Sequence, residues 1–235
     1  MLEITSTPLV IMAILGTVGI LLPIISIVRK EKGSNSFYAV IAFAALIVSM
    51  GYVGYQFLNE NVAPAALFSE DVIVDDAFGG LFAIAMLIVA LFTTVGSFNY
   101  MRKHNSPAVY YSLILLATIG MVLVAYSTDL VMLFVAWELM SIPTYVLVGF
   151  MKRNPSSNEA ALKYFLFGAL SSAIIVYGIS ISYGLTGSTN IGEVIQGYST
   201  LDPSLFPLAL LSVGMFIAGF GFKMGLVPFH QWLPD

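Results

Sequence analysis

The chain has 235 residues, of which 59% are hydrophobic and only 9% charged, whereas soluble domains carry roughly 25% charged residues. It contains no cysteine, which excludes disulfides, thiolate metal sites and cysteine-ligated clusters, and its net charge of −4 argues against a nucleic-acid partner. Such a chain is an integral membrane protein whose partner is the lipid bilayer.

Seven apolar runs approach the ~20 residues that a helix needs to cross ~30 Å of hydrocarbon. They lie at about 8–28, 37–57, 77–97, 108–126, 130–150, 160–185 and 205–227. Their length and unbroken apolarity predict helices and not barrel strands, hence an all-α polytopic membrane protein. The first run follows MLEITST, which has no basic segment and no small-residue cleavage site, so it reads as a retained anchor. The longest gaps, 58–76 and 186–204, are too short for a soluble domain.

Cations set the expected orientation. Arg29, Lys30 and Lys32 follow the first run, Arg102 and Lys103 the third, and Lys152 and Arg153 the fifth. The opposite loops hold Glu60, Glu70, Asp71, Asp75, Asp76, Asp129, Glu193 and Asp202. This asymmetry predicts an N-terminus outside and basic loops facing the cytoplasm, in a prokaryotic plasma (inner) membrane. His104, in the basic MRKHN loop, reads as a solvated side chain.

Two cations, Lys163 and Lys223, belong to no loop, and neither does Glu138 in FVAWELMSIPTYVLVGF. An ionisable residue at the centre of a membrane helix costs roughly 2.5–3.5 kcal/mol on insertion scales and marks a functional site by default. Glu138 lies roughly 18 Å from the basic end of the fifth span and Lys163 roughly 9 Å into the sixth. The offset leaves open a direct contact, one water between them, or an ion pair that only locks two helices. Pro143 is placed to bend the fifth span.

Lys223 stands in GFGFKMGLVPFHQWLPD, where Gly219, Gly221, Gly225 and Pro228 predict a discontinuous seventh helix. Desolvation there favours the neutral amine, so a lysine can accept and release a proton; the alternative is snorkelling to the interface. His230 follows in the PFH element and either exchanges protons or sits at the membrane surface. No phosphate loop, metal-ligand cluster or nucleophile–base pair appears in the sequence.

WELMSIPTYVLVGF (137–150), ALKYFLFGALSSAIIVYGISISYGLTGST (161–189) and GFGFKMGLVPFHQWLPD (219–235) resemble the antiporter-like membrane subunits of complex I. Among them the wording is most similar to subunit N of NADH:quinone and deazaflavin dehydrogenases, in the proton-conducting membrane transporter family. Residues 108–235 carry the resemblance, while 1–107 share the family's layout of spans. The resemblance implies three N-terminal transmembrane helices over 1–107, then an incomplete first antiporter-like repeat over 108–235. It also implies that Glu138, Lys163, Lys223 and His230 belong to a buried polar chain that moves protons, with Glu138 as the movable electrostatic partner of the lysines. Family members continue past the WLPD motif into a second, inverted repeat, so a partial chain is expected. The subunit is expected to hold no cofactor itself; flavin, iron–sulfur clusters and quinone are expected in partner subunits, beside other membrane-arm subunits. The same fold serves multi-subunit Na+/H+ antiporters and membrane-bound hydrogenases, and the buried charges are also compatible with a structural scaffold. A retinal or receptor protein is disfavoured, because residues 78–98 of the third span hold no acid to serve as a counter-ion.

Overall fold

The computed structural model describes residues 6–29, 35–58, 65–66, 72–102, 104, 106–230 and 232–233. Of the loop charges used for orientation, Lys30, Lys32, Lys103, Glu60, Glu70 and Asp71 lie outside these residues. Seven helices are long and apolar enough to cross a membrane. They are α1 (Thr7–Arg29), α2 (Asn35–Leu58), α3 (Ala77–Met101), α4 (Pro107–Tyr126), α5 (Leu130–Val148), α6 (Pro155–Thr186) and α8 (Phe206–Lys223), the last entered through a 3-10 turn at Pro203–Leu205. A short helix, α7 (Ile191–Ser199), lies in the gap read from sequence as loop. A small antiparallel hairpin pairs β1 (Ala65–Ala66) with β2 (Val74–Asp75).

The acids that mark one set of loops also start helices. Asp76 accepts the Gly79 N–H at the head of α3, and Asp129 accepts those of Val131 and Met132 at the head of α5. A carboxylate satisfies orphan N–H groups there and faces the positive end of the helix dipole. Asp202 does the same before α8: the Ser204 hydroxyl and N–H hold its carboxyl below the usual carboxylate range. Asn154 caps α6 with Pro155 in its first turn, so this helix begins earlier than the hydropathy suggests and runs 32 residues, about 48 Å. Gly187, with φ of 75°, ends it in the left-handed region that glycine tolerates.

The two ends of the bundle are stitched differently. At the acidic end, Asp75 accepts the Thr7 N–H at 2.6 Å, and Leu130 N–H and Ile191 N–H bond the carbonyls of Thr189 and Thr128. At the basic end, the Asn35 amide donates to Phe98 O at 2.7 Å and accepts from the Tyr111 hydroxyl at 3.2 Å. These bonds fix the relative heights of the helices.

α4 is the most buried span and packs on α1, α2, α3 and α5 around Tyr38, Tyr111, Tyr126, Leu15, Leu46 and Leu115. A second, smaller core joins Leu130 of α5 to Ile175 and Ile179 of α6 and Val194 of α7. Membrane helices gain little from burying apolar groups against one another, so close backbone approach carries the association. Gly120 provides it on α4, where any Cβ would overlap the Met140 backbone and come 2.8 Å from Ala136 O. Gly120→Val is expected to destabilise the detergent-extracted protein by about 1–3 kcal/mol in thermal melts. Gly51→Ala, with nothing within 4 Å of its Cβ, should melt like the parent.

Candidate functional site

α5 and α6 run antiparallel in a register set by small residues and ring contacts. A Cβ on Gly149 would come 2.9 Å from Ala161, the Tyr145 ring packs edge-on to those of Tyr164 and Phe165, and Glu138 stands level with Ser172. On the far side of α6, the Ser171 hydroxyl donates to Gly219 O at 2.7 Å, holding α8 against α6 one turn before Lys223. Adjacent serines of α6 therefore face two different helices.

In this frame Lys223 Nζ meets Glu138 Oε1 at 2.8 Å and Ser141 Oγ at 2.9 Å. The Ser172 hydroxyl donates to the same Glu138 oxygen at 2.5 Å. The Trp137 ring lies 5.9 Å from the ammonium, within cation–π range. The Lys223 side chain is only 7% exposed and that of Glu138 25%. Two ions in a low-dielectric setting cost desolvation that their attraction offsets only with good geometry and extra hydrogen bonds. Ser141 and Ser172 supply those bonds.

The spacing left open a contact of Glu138 with Lys163, direct or through one water; in the structure the cation against Glu138 is Lys223. Lys163 forms an ion pair with Glu159 of its own helix at 2.9 Å, and both side chains are more than a third exposed. The cause is register. Lys163 lies nine residues before Ser172, so it sits roughly 13–14 Å along α6 from the level of Glu138.

Helix α8 ends at Lys223, as the glycines and proline of that stretch suggested. Residues 224–230 turn tightly: Leu226 N–H reaches Gly221 O at 2.8 Å, and Gly225 adopts φ of 66°. The Trp232 indole donates to Phe222 O at 3.0 Å, satisfying a carbonyl of the last turn, while its ring stacks on Tyr164 at 4.7 Å. His230 lies at the end of this turn and is exposed.

Sequence reasoning missed Ser141, Ser172 and Trp137. Ser141 carried a signal, since i+3 from Glu138 is the same helix face. Ser172 carried none beyond the polar doublet in GALSSA, because its height against Glu138 is a tertiary property. Between the ion pair and the level of Lys163 lie the buried Tyr145 hydroxyl and the Thr144 and Tyr164 hydroxyls, 3.3 Å apart. Among the described residues no cluster of three His, Asp, Glu or Cys could hold a metal ion.

The fold and this site define a polytopic membrane protein with a hydrogen-bonded ion pair between its spans. Residues 127–235 match the family described as NADH:quinone oxidoreductase/Mrp antiporter, TM. Subunit N of the NADH-quinone oxidoreductase of Desulfitobacterium hafniense is 38% identical over 231 residues, covering 96% of this chain and 44% of that protein. The F(420)H(2) dehydrogenase subunit N of Methanosarcina mazei is 38% identical over 192 residues, covering 82% of this chain and 38% of that protein. A chain in the solved structure of respiratory complex I from Thermus thermophilus with bound aureothin superposes with a TM-score of 0.75 at 30% identity, covering 96% of this chain and 46% of its own length. The chain is similar to this family and, within it, to the subunits named N. It spans less than half the length of the curated relatives it matches.

Removing one partner of a buried pair strands a charge, whereas removing both does not. Lys223→Met is therefore expected to lower the melting temperature in detergent more than Lys223→Met combined with Glu138→Gln. Equal melting of the two variants would show that the pair contributes no coupling.

Proposed function

We propose that this chain is part of a proton-translocating membrane subunit of a complex I-like respiratory dehydrogenase in a prokaryotic plasma membrane. The observation that carries this reading is the Lys223–Glu138 pair, buried among spans and braced by Ser141 and Ser172. A lysine held this way changes its hold on a proton when the carboxylate moves away, since the carboxylate favours the ammonium and desolvation the neutral amine. Glu138 is then the movable partner and Lys223 the proton-exchanging group. Lys163 is a second cation nearer the basic end, linked to the pair through water and the hydroxyls of Tyr145, Tyr164 and Thr144. His230 continues the route past the end of α8.

In this reading the N-terminus faces outward and the basic turns face the cytoplasm. The chain catalyses no redox step. Flavin, iron–sulfur clusters and quinone belong to partner subunits, and other membrane-arm subunits flank the chain. The donor is open among NADH, reduced deazaflavin and ferredoxin, and the names of the two relatives differ on it. The family description also covers Mrp antiporters, in which the same pair would serve cation–proton exchange.

The test is proton uptake in inverted membrane vesicles, read with a pH-sensitive dye and set against electron flux. Glu138→Gln is expected to assemble normally and to lower the protons moved per electron. Lys223→Ala and Lys223→Arg are both expected to lose coupled pumping, because arginine keeps the charge but does not release a proton. Full pumping by Lys223→Arg would reduce the site to a structural ion pair.

A further inference from the structure

The turns at the basic end of the bundle enclose a cavity of about 680 Å³. The α3–α4 turn contributes His104 and Ser106, and the α5–α6 turn contributes Lys152, Arg153 and Asn154. We propose that this cavity binds the phosphate headgroup of an acidic phospholipid, with the acyl chains lying over Val109 of α4 and Val146 of α5.

The polar lining has one sign. Among the described residues no carboxylate lines the cavity, and neither Lys152 nor Arg153 takes part in an ion pair. The imidazole of His104 adds an N–H donor. Two helices also begin at the cavity: Ser106 caps α4 without a side-chain hydrogen bond to it, and Asn154 caps α6. The positive ends of their dipoles favour an anion in the space that the cations already mark.

The cations rest on a folded scaffold. Asn154 N–H bonds Met151 O at 2.8 Å, Lys152 O accepts from Asn158 Nδ2 at 3.1 Å, and the Ser157 hydroxyl donates to Val148 O at 2.6 Å. Across the cavity the His104 ring lies 5.1 Å from that of Tyr100, and Phe150 packs edge-on to Tyr110. The backbone of the turn is thus ordered before binding, and the cost of binding is confined to the Lys152 and Arg153 side chains.

Depth and apolar lining select a lipid over a free phosphate. The cavity sits where α3 and α5 end and α4 and α6 begin, the level of headgroups for spans of this length. Val109 and Val146, 41% and 49% exposed, line the same cavity and point to a ligand with an apolar part. Basic pockets between membrane helices on this side suit acidic headgroups. The inference rests on the membrane-spanning fold and on the basic end facing the cytoplasm, and does not depend on proton translocation.

Native mass spectrometry of the detergent-extracted assembly that contains this chain tests it, with titration of phosphatidylglycerol, phosphatidylcholine and inorganic phosphate. The comparison is between the parent, Lys152→Gln/Arg153→Gln and the charge-keeping exchange Lys152→Arg/Arg153→Lys. The parent and the exchange variant are expected to retain one phosphatidylglycerol that the neutral variant holds roughly thirtyfold more weakly. Equal retention by the neutral variant would overturn the proposal, as would equal retention of phosphatidylcholine. Displacement of the lipid by inorganic phosphate at equal concentration would show an ion site and would also overturn it.

Discussion

An ammonium group among membrane spans has no water to solvate it, and the arrangement of α5, α6 and α8 follows from the need to give Lys223 partners. The nearest acceptors are Glu138 and Ser141, which sit on one face of α5, three residues apart. α8 reaches them across α6, which packs against both helices. α6 therefore must present a small, polar surface at this height, and Ser171 and Ser172 do so, one tying down α8 and the other completing the Glu138 shell. A bulky apolar residue at either position would separate the charges or leave a carboxylate oxygen short of a donor, and both are costly in a low-dielectric interior.

The remaining architecture holds this junction steady. α4 fills the middle of the first core and brings α5 close through Gly120, and the second core fastens the acidic ends of α5 and α6 through Leu130, Ile175 and Val194. A buried hydroxyl cluster adds to the second core: Ser182 and Ser212 lie 2.7 Å apart, and the Tyr198 hydroxyl of α7 reaches both. α7 is thus fixed from below by polar contacts and from its head by the Asn190 cap. α5 shares contacts with both cores, so the ion pair sits where the two packed groups meet.

Much of the fold was legible in the sequence. Seven apolar runs became seven long helices, with ends shifted by a few residues where caps decide them. The start of α6 moved to Pro155 because Asn154 and proline stop the chain there, a local rule that outranks hydropathy. The acidic loops were legible as charge, but their work as caps for α3 and α5 appears only once the helix starts are known. α7 was missed because nine residues are too short to span a membrane and lie in a gap between apolar runs, although Ile191, Val194, Ile195 and Tyr198 recur at helical spacing; tertiary contacts stabilise it.

For the site, sequence alone singled out an acid and lysines that are costly inside apolar spans, and the glycines after Gly219 mark the end of α8. It could not determine who pairs with whom. Spacing along one chain gives heights only relative to that helix's own ends, so the offset that sets Ser172 beside Glu138 and Lys163 beside Glu159 appears only once α5 and α6 are packed. That register comes from the fit of Gly149 on Ala161 and Tyr145 on Tyr164, and from the Ser171–Gly219 bond that carries α8. Composition and hydropathy choose the solvent and the elements, because both act residue by residue. Tertiary structure chose the ion pair, because contact between helices depends on their mutual offset, and no single segment encodes it.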